Sequence, residues 1–179
     1  LGNRSKLARD LPQDLARARA AQGRLALLFI DLDNFKDIND TLGHQVGDLL
    51  LRQLALRLQA SVMPPAWVTR HGGDEFLVVL PQLDGDEQAI ALAQELMNQI
   101  RRPFTLEGYQ LHVTPSVGIS LFPDHGSTPA ELVSRADMGM YAAKKLGRNR
   151  VECLASVTAS ISTATPAEAA PRSPASHSR

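Results

Sequence analysis

Cysteine is almost absent: the chain of 179 residues has one, Cys153. A lone thiol closes no internal disulfide, so packing must hold the fold, and a reducing, cytoplasmic setting is expected. Net charge is absent too, with 19 Lys and Arg against 19 Asp and Glu. No global field then steers the chain toward nucleic acid or anionic lipid, and neither is an expected partner. No apolar run approaches the length of a membrane span and no signal-peptide pattern opens the chain. Direct membrane contact is not expected, although the domain could be the cytoplasmic portion of an anchored protein. The five histidines show no ligand-pair spacing and have no cysteine partners, which argues against zinc. The first residue is Leu1 rather than Met, which suggests a piece of something longer.

What is present suits one globular domain with a sizeable core: 44% of residues are hydrophobic and 21% charged. From about residue 154 to 179 the chain is Ser, Thr, Ala and Pro with almost no large apolar side chain. Such a stretch cannot offset its ordering entropy, which predicts a disordered tail or a linker to a further domain. Residues 1–153 are the expected domain.

Two periods alternate along it. Helical spacing of apolar residues runs from Leu7 to about Arg19. "RLALLFI", ending at Asp31, reads as a buried strand. Val46, Leu50, Leu54 and Leu58 share one helix face. "PPAWVTR" and "FLVVL" read as a hairpin with "HGGDE" at its tip. "DEQAIALAQELMNQI" is a further amphipathic helix. "LHVTPSVGISL" alternates as a strand, with Leu111, Val113, Val117, Ile119 and Leu121 on one face. Pro115 inside it cannot donate to a ladder and predicts an edge position or a bulge. Thr128, Pro129 and Glu131 open another helix as N-cap, N1 and N3 of a capping box, and Gly147 stops it. "RVECL" closes the domain as a short strand. The order of helix, strand, helix, hairpin, helix, strand, helix, strand predicts an α+β fold with a mostly antiparallel central sheet.

The acids sit where they cost most. Asp31 and Asp33, two apart at the end of a buried strand, project to one side, and Asp74 and Glu75 lie at the hairpin tip beside another buried strand. Carboxylates gathered there could share a hard divalent cation such as Mg²⁺, which prefers a few carboxylates plus phosphate oxygens and water. Asp33 alone reads rather as a cap before "NFKDIN". Gly72 and Gly73 suit turn geometry and equally the close approach of a bulky ligand to bare backbone. Asn34, Phe35 and Lys36 begin a turn whose N–H groups could nest an anion. Lys144 and Arg148, four apart near a helix C-terminus, complement the helix dipole or, near a nucleotide, hold phosphates.

Four stretches, "DLDNFKDINDTLGHQVGD", "RHGGDEF", "SVGIS" and "ADMGMYAAKKLGRN", resemble in order and spacing the GGDEF domain of diguanylate cyclases. "LGNR" at the start is similar to the end of the motif that opens that domain. The resemblance spans about residues 1–152 and implies the nucleotidyl cyclase, ferredoxin-like βααββαβ architecture. It implies a metal, Mg²⁺ or alternatively Mn²⁺, on Asp31, Asp74 and the carbonyl of Leu32, with Glu75 the next acid, near the metal or the ribose. It implies guanine reading by Asn39 and Asp48, a phosphate cradle at Asn34, Phe35 and Lys36, and phosphate-binding cations at Lys144 and Arg148. Gly72 and Gly73 would face the substrate. The implied reaction joins two GTP into cyclic di-GMP with release of two pyrophosphates, across a homodimer of half-sites. An upstream sensory domain is implied as well. The family's inhibitory Arg-x-x-Asp falls here on Met63, Pro64, Pro65 and Ala66, so feedback through that site is not expected.

Two other functions compete. One is a catalytically silent module that binds GTP or cyclic di-GMP and regulates a neighbour. The other is a generic interaction domain whose acids are solvated turn residues. Magnesium-dependent GTP binding separates the latter from both others, and turnover separates the enzyme from the silent module.

Overall fold

The computed structural model describes residues 2–154. The tail expected beyond that point lies outside the described residues. Helix α1 (Arg4–Ala20) leads into β1 (Arg24–Leu32), followed by α2 (Phe35–Leu42) and α3 (His44–Ser61). A hairpin of β2 (Trp67–Gly72) and β3 (Glu75–Leu83) precedes α4 (Asp86–Arg101). A small hairpin of β4 (Phe104–Leu106) and β5 (Tyr109–Leu111) comes next, then β6 (Pro115–Phe122), α5 (Pro129–Lys145) and β7 (Val151–Cys153).

Five strands form one sheet in the order β2-β3-β1-β6-β7, antiparallel except for the parallel β6–β7 pair. This is the expected α+β architecture. β1 lies at its centre, and alternation of its apolar run feeds two cores. Ala26, Leu28 and Ile30 pack with Val46, Leu50, Leu54 and Leu58 of α3 and with α4. Leu25, Leu27 and Phe29 pack with Leu11 and Leu15 of α1 and Leu132, Ala136 and Met140 of α5. A strand buried on both faces needs a continuous apolar run, and "RLALLFI" supplies it. The capping box of α5 is formed by Thr128 and Glu131 as expected.

Three expectations change. The helix α2 was not separated from α3 because none of its eight residues is buried. Its stripe is only Phe35, Ile38 and Leu42, partly buried against the core and too short to mark a separate helix. The β4–β5 hairpin was also missed: its strands have three residues each, turning at Glu107 and Gly108 with φ of 47° and 84°. Such a turn needs positive φ at both positions, and Gly108 was its one local signal. Pro115 is neither on an edge strand nor at a bulge. It is the first residue of β6, an interior strand, opposite Leu32. At that end of a strand a missing N–H costs no ladder bond.

Candidate functional site

The sheet brings the acids to one corner. Asp31, near the end of β1, pairs directly with Glu75, the first residue of β3, so both side chains share the α1/α5 face. Asp74 lies in the turn between β2 and β3. Asp31 is 5% exposed. Burial pushes its carboxyl up to about 6; Asp74 and Glu75 add to the rise, and Lys144 opposes it. Lys144 Nζ sits 2.7 Å from Asp31 Oδ1. The contact is an ion pair, so a cation at Asp31 would have to displace Lys144 or share the carboxylate with it.

That buried carboxylate tests the fit of a cation. Among the described residues no three His, Cys, Asp or Glu side chains are gathered as a cage. A cation here would therefore take two carboxylates, Asp31 and Asp74, a backbone oxygen such as that of Leu32, and ligands from outside the protein. Mg²⁺ accepts such incomplete sites because it keeps waters and substrate phosphates. The residues present fit it.

Asp33 is not a helix cap. Asn34, in the left-handed region with φ of 56°, holds the N-cap position of α2 and makes no side-chain cap bond. The Asp33 carboxylate instead accepts from Thr114 Oγ1 at 2.6 Å, Ser116 Oγ at 2.7 Å and the Asn149 N–H at 3.0 Å. It ties the end of β1 to β6 and to the loop after α5.

Asn39, on α2, is half-buried, and its Oδ1 is a buried acceptor without a donor. It faces Gly47 of α3, where a Cβ would collide with it. Sequence reading passed over Gly47, although a glycine inside a helix of good helix formers signals close approach. Asp48, one residue on, is exposed, as is Lys36. Phe35 packs its ring on the core, so it can offer a ligand its backbone N–H rather than its side chain.

Lys144 belongs to the last turn of α5, but Arg148 lies beyond the helix. Its side chain is exposed and makes no hydrogen bond or ion pair among the described residues.

At the hairpin tip only Gly73 needs positive φ, at 42°, and the space where its Cβ would stand is open for 4 Å. Gly72 is tight instead against Arg4, whose guanidinium would lie 3.1 Å from a Cβ. Arg4 Nε donates to the His71 carbonyl at 2.6 Å, and Arg70 Nε to the Gly73 carbonyl at 2.9 Å. Gly2 bridges Thr69, and the Thr69 hydroxyl donates to the Asn3 carbonyl at 3.0 Å. Gly2, Asn3 and Arg4 thus brace the hairpin. A cleft of about 800 Å³ opens beside it, lined by Arg4, Leu51, Arg52, Ala55, Gly72 and Gly73 among others.

Carboxylates, bare glycine backbone and Lys144 thus gather around the end of a central antiparallel strand in an α+β domain. The family model "Diguanylate cyclase, GGDEF domain" matches residues 1–150, and the chain belongs to that family. The diguanylate cyclase TpbB of Pseudomonas aeruginosa is 39% identical over 149 residues, 83% of this chain and 34% of that protein. The bifunctional diguanylate cyclase/cyclic di-GMP phosphodiesterase MucR of the same organism is 40% identical over 149 residues, 83% of this chain and 22% of that protein. The chain therefore spans about a third or less of these curated relatives. The crystal structure of the TpbB GGDEF domain matches with a TM-score of 0.83 at 38% identity, over 86% of this chain and 96% of that one.

Proposed function

We propose that the domain is a diguanylate cyclase, joining two GTP into cyclic di-GMP with loss of two pyrophosphates. The observation that carries this reading is the buried Asp31 carboxylate opposite Glu75, in a domain of this family that also leaves Asn39 Oδ1 buried without a donor. A buried polar atom without a partner costs about 1–3 kcal/mol, which a ligand can recover. Asn39 Oδ1 and the Asp48 carboxylate would accept from the N–H groups of guanine's Watson–Crick edge, where adenine offers no matching pair. Asp31 and Asp74, with the Leu32 carbonyl, would hold Mg²⁺ or Mn²⁺, which lowers the pKa of an attacking hydroxyl and neutralises charge on pyrophosphate. Glu75, opposite Asp31, would stand beside the metal or the ribose. Lys144 would leave Asp31 for the phosphates, and Arg148 and the backbone at Asn34, Phe35 and Lys36 would join it. Gly72 and Gly73 would let the nucleotide approach bare backbone.

A symmetric ring needs two 3′-hydroxyls attacking two α-phosphates. One half-site holds one GTP, so turnover would require a homodimer. Control by an upstream sensory domain fits the same reading, as does a cytoplasmic location. Incubation with GTP and Mg²⁺, with products resolved by mass, tests the proposal: cyclic di-GMP and pyrophosphate are expected. GTP bound without product, even in a dimer forced by a fused coiled coil, would mark a silent binding module instead.

Asp48→Ala should raise the Kd for GTP about tenfold or more and leave the weaker ATP binding nearly unchanged. Equal effects on both nucleotides would contradict base reading. Asp31 must shed its proton to ligate a cation. Because its pKa in the free protein is raised to about 6, Mg²⁺ affinity should fall as pH drops through 6 and level off above it. An affinity unchanged between pH 7 and pH 5 would remove Asp31 from the site.

Met63 to Ala66 offer no charged side chain, and Met63 is 75% exposed. Tight noncompetitive inhibition by cyclic di-GMP is not expected, and an inhibition assay that found it would contradict the reading of this segment.

A further inference from the structure

The loop after α5 is held in a costly conformation. Gly147, Arg148 and Asn149 take φ of 111°, 62° and 50° in succession. Glycine adopts this region freely and asparagine comparatively readily, whereas Arg148 persists there at a cost that neighbours must offset. Four bonds do so here. The Arg148 N–H donates to the Ala143 carbonyl at 2.9 Å, and the Asn149 N–H donates to Asp33 Oδ2 at 3.0 Å. Arg101, at the end of α4, donates from Nε to Asn149 Oδ1 at 2.8 Å and from Nη2 to the Asn149 carbonyl at 3.2 Å. Its Nη1 donates to Asn98 Oδ1 at 3.3 Å, which braces the fork on its own helix.

A guanidinium thus grips one residue by both backbone and side chain across 48 positions of sequence. An exposed Arg–Asn pair at a helix end would ordinarily mean little. This one holds the left-handed Asn149 next to Arg148, whose own cation has no partner among the described residues. We propose that Arg101 and Asn149 are positioning residues for the triphosphate. Their fork fixes the left-handed loop and so presents Arg148 to the nucleotide. The inference rests on the reading of Arg148 as a phosphate-binding cation.

The test measures Kd for GTP with Mg²⁺ and for guanosine, which carries the base without phosphates, alongside thermal melts. Arg101→Ala should weaken GTP roughly tenfold and leave guanosine unchanged. Adding Asn149→Gly should recover about two- to fivefold, because glycine holds the left-handed region without strain. Wild-type GTP affinity in Arg101→Ala overturns the proposal. So does an equal loss of GTP and guanosine, the mark of general structural damage, or a double variant no better than the single one. Arg148→Ala is the control for the underlying reading: if it binds GTP like the wild type, the phosphate role of Arg148 fails, and the fork's role fails with it.

Discussion

Asp74→Asn should abolish turnover and leave the fold intact. Asp74 stands in the β2–β3 turn, half-buried, and its side chain makes no hydrogen bond among the described residues. It contributes charge rather than packing, and that charge opposes ionisation of Asp31. The amide keeps the shape and removes the charge. A carboxylate lost from a metal site costs several kcal/mol of transition-state stabilisation, so turnover should drop about a thousandfold or more. The melting temperature should hold or rise slightly, since a like-charge repulsion is relieved. Turnover and thermal melts on the same preparations check both halves. Wild-type turnover in this variant would move the metal site elsewhere.

The second large effect falls on a residue with no chemistry. Gly118 of β6 lies against the backbone of α5, where a Cβ would collide with the Ala136 carbonyl oxygen and the Met140 nitrogen. Gly139 makes the reciprocal contact, its own Cβ position standing 3.1 Å from Gly118 Cα and 2.9 Å from the Glu152 carbonyl oxygen. The colliding atoms are backbone, so no rotamer change relieves them. Gly118→Ala should destabilise the domain by about 3 kcal/mol, the upper end of ordinary overpacking, and lower the melting temperature by roughly 6–12 °C. Because α5 carries Lys144 and leads to Arg148, residual folded protein should also bind GTP more weakly. A melting temperature within a degree of wild type would show that the helix can move away freely.

These two glycines explain why the chain was readable in some places and opaque in others. "SVGIS" and "ADMGMYAAKKLGRN" stand out in sequence as family signatures, yet their glycines serve a backbone crossing that no local pattern discloses. β1 and β3 were legible because burial on two faces demands unbroken apolar runs. The acids were legible because charge beside such runs demands a partner. α2 and the β4–β5 hairpin escaped because elements so short hold too few residues for a period to stand out. Asp33 was misread because a carboxylate before a helix looks like a cap, whereas its partners Thr114, Ser116 and Asn149 lie 81 to 116 positions away. Arg101 has no local signal, and the contacts of Arg4 and Asn149, though both residues lie in family-like stretches, exist only in the tertiary fold.

The most direct test of the two-half-site claim is the rate of cyclic di-GMP formation from GTP and Mg²⁺ as protein concentration rises. A two-half-site mechanism predicts a specific activity that climbs steeply with concentration in the free domain and becomes high and concentration-independent in a coiled-coil-fused dimer. A specific activity independent of concentration in a domain shown to be monomeric would contradict it.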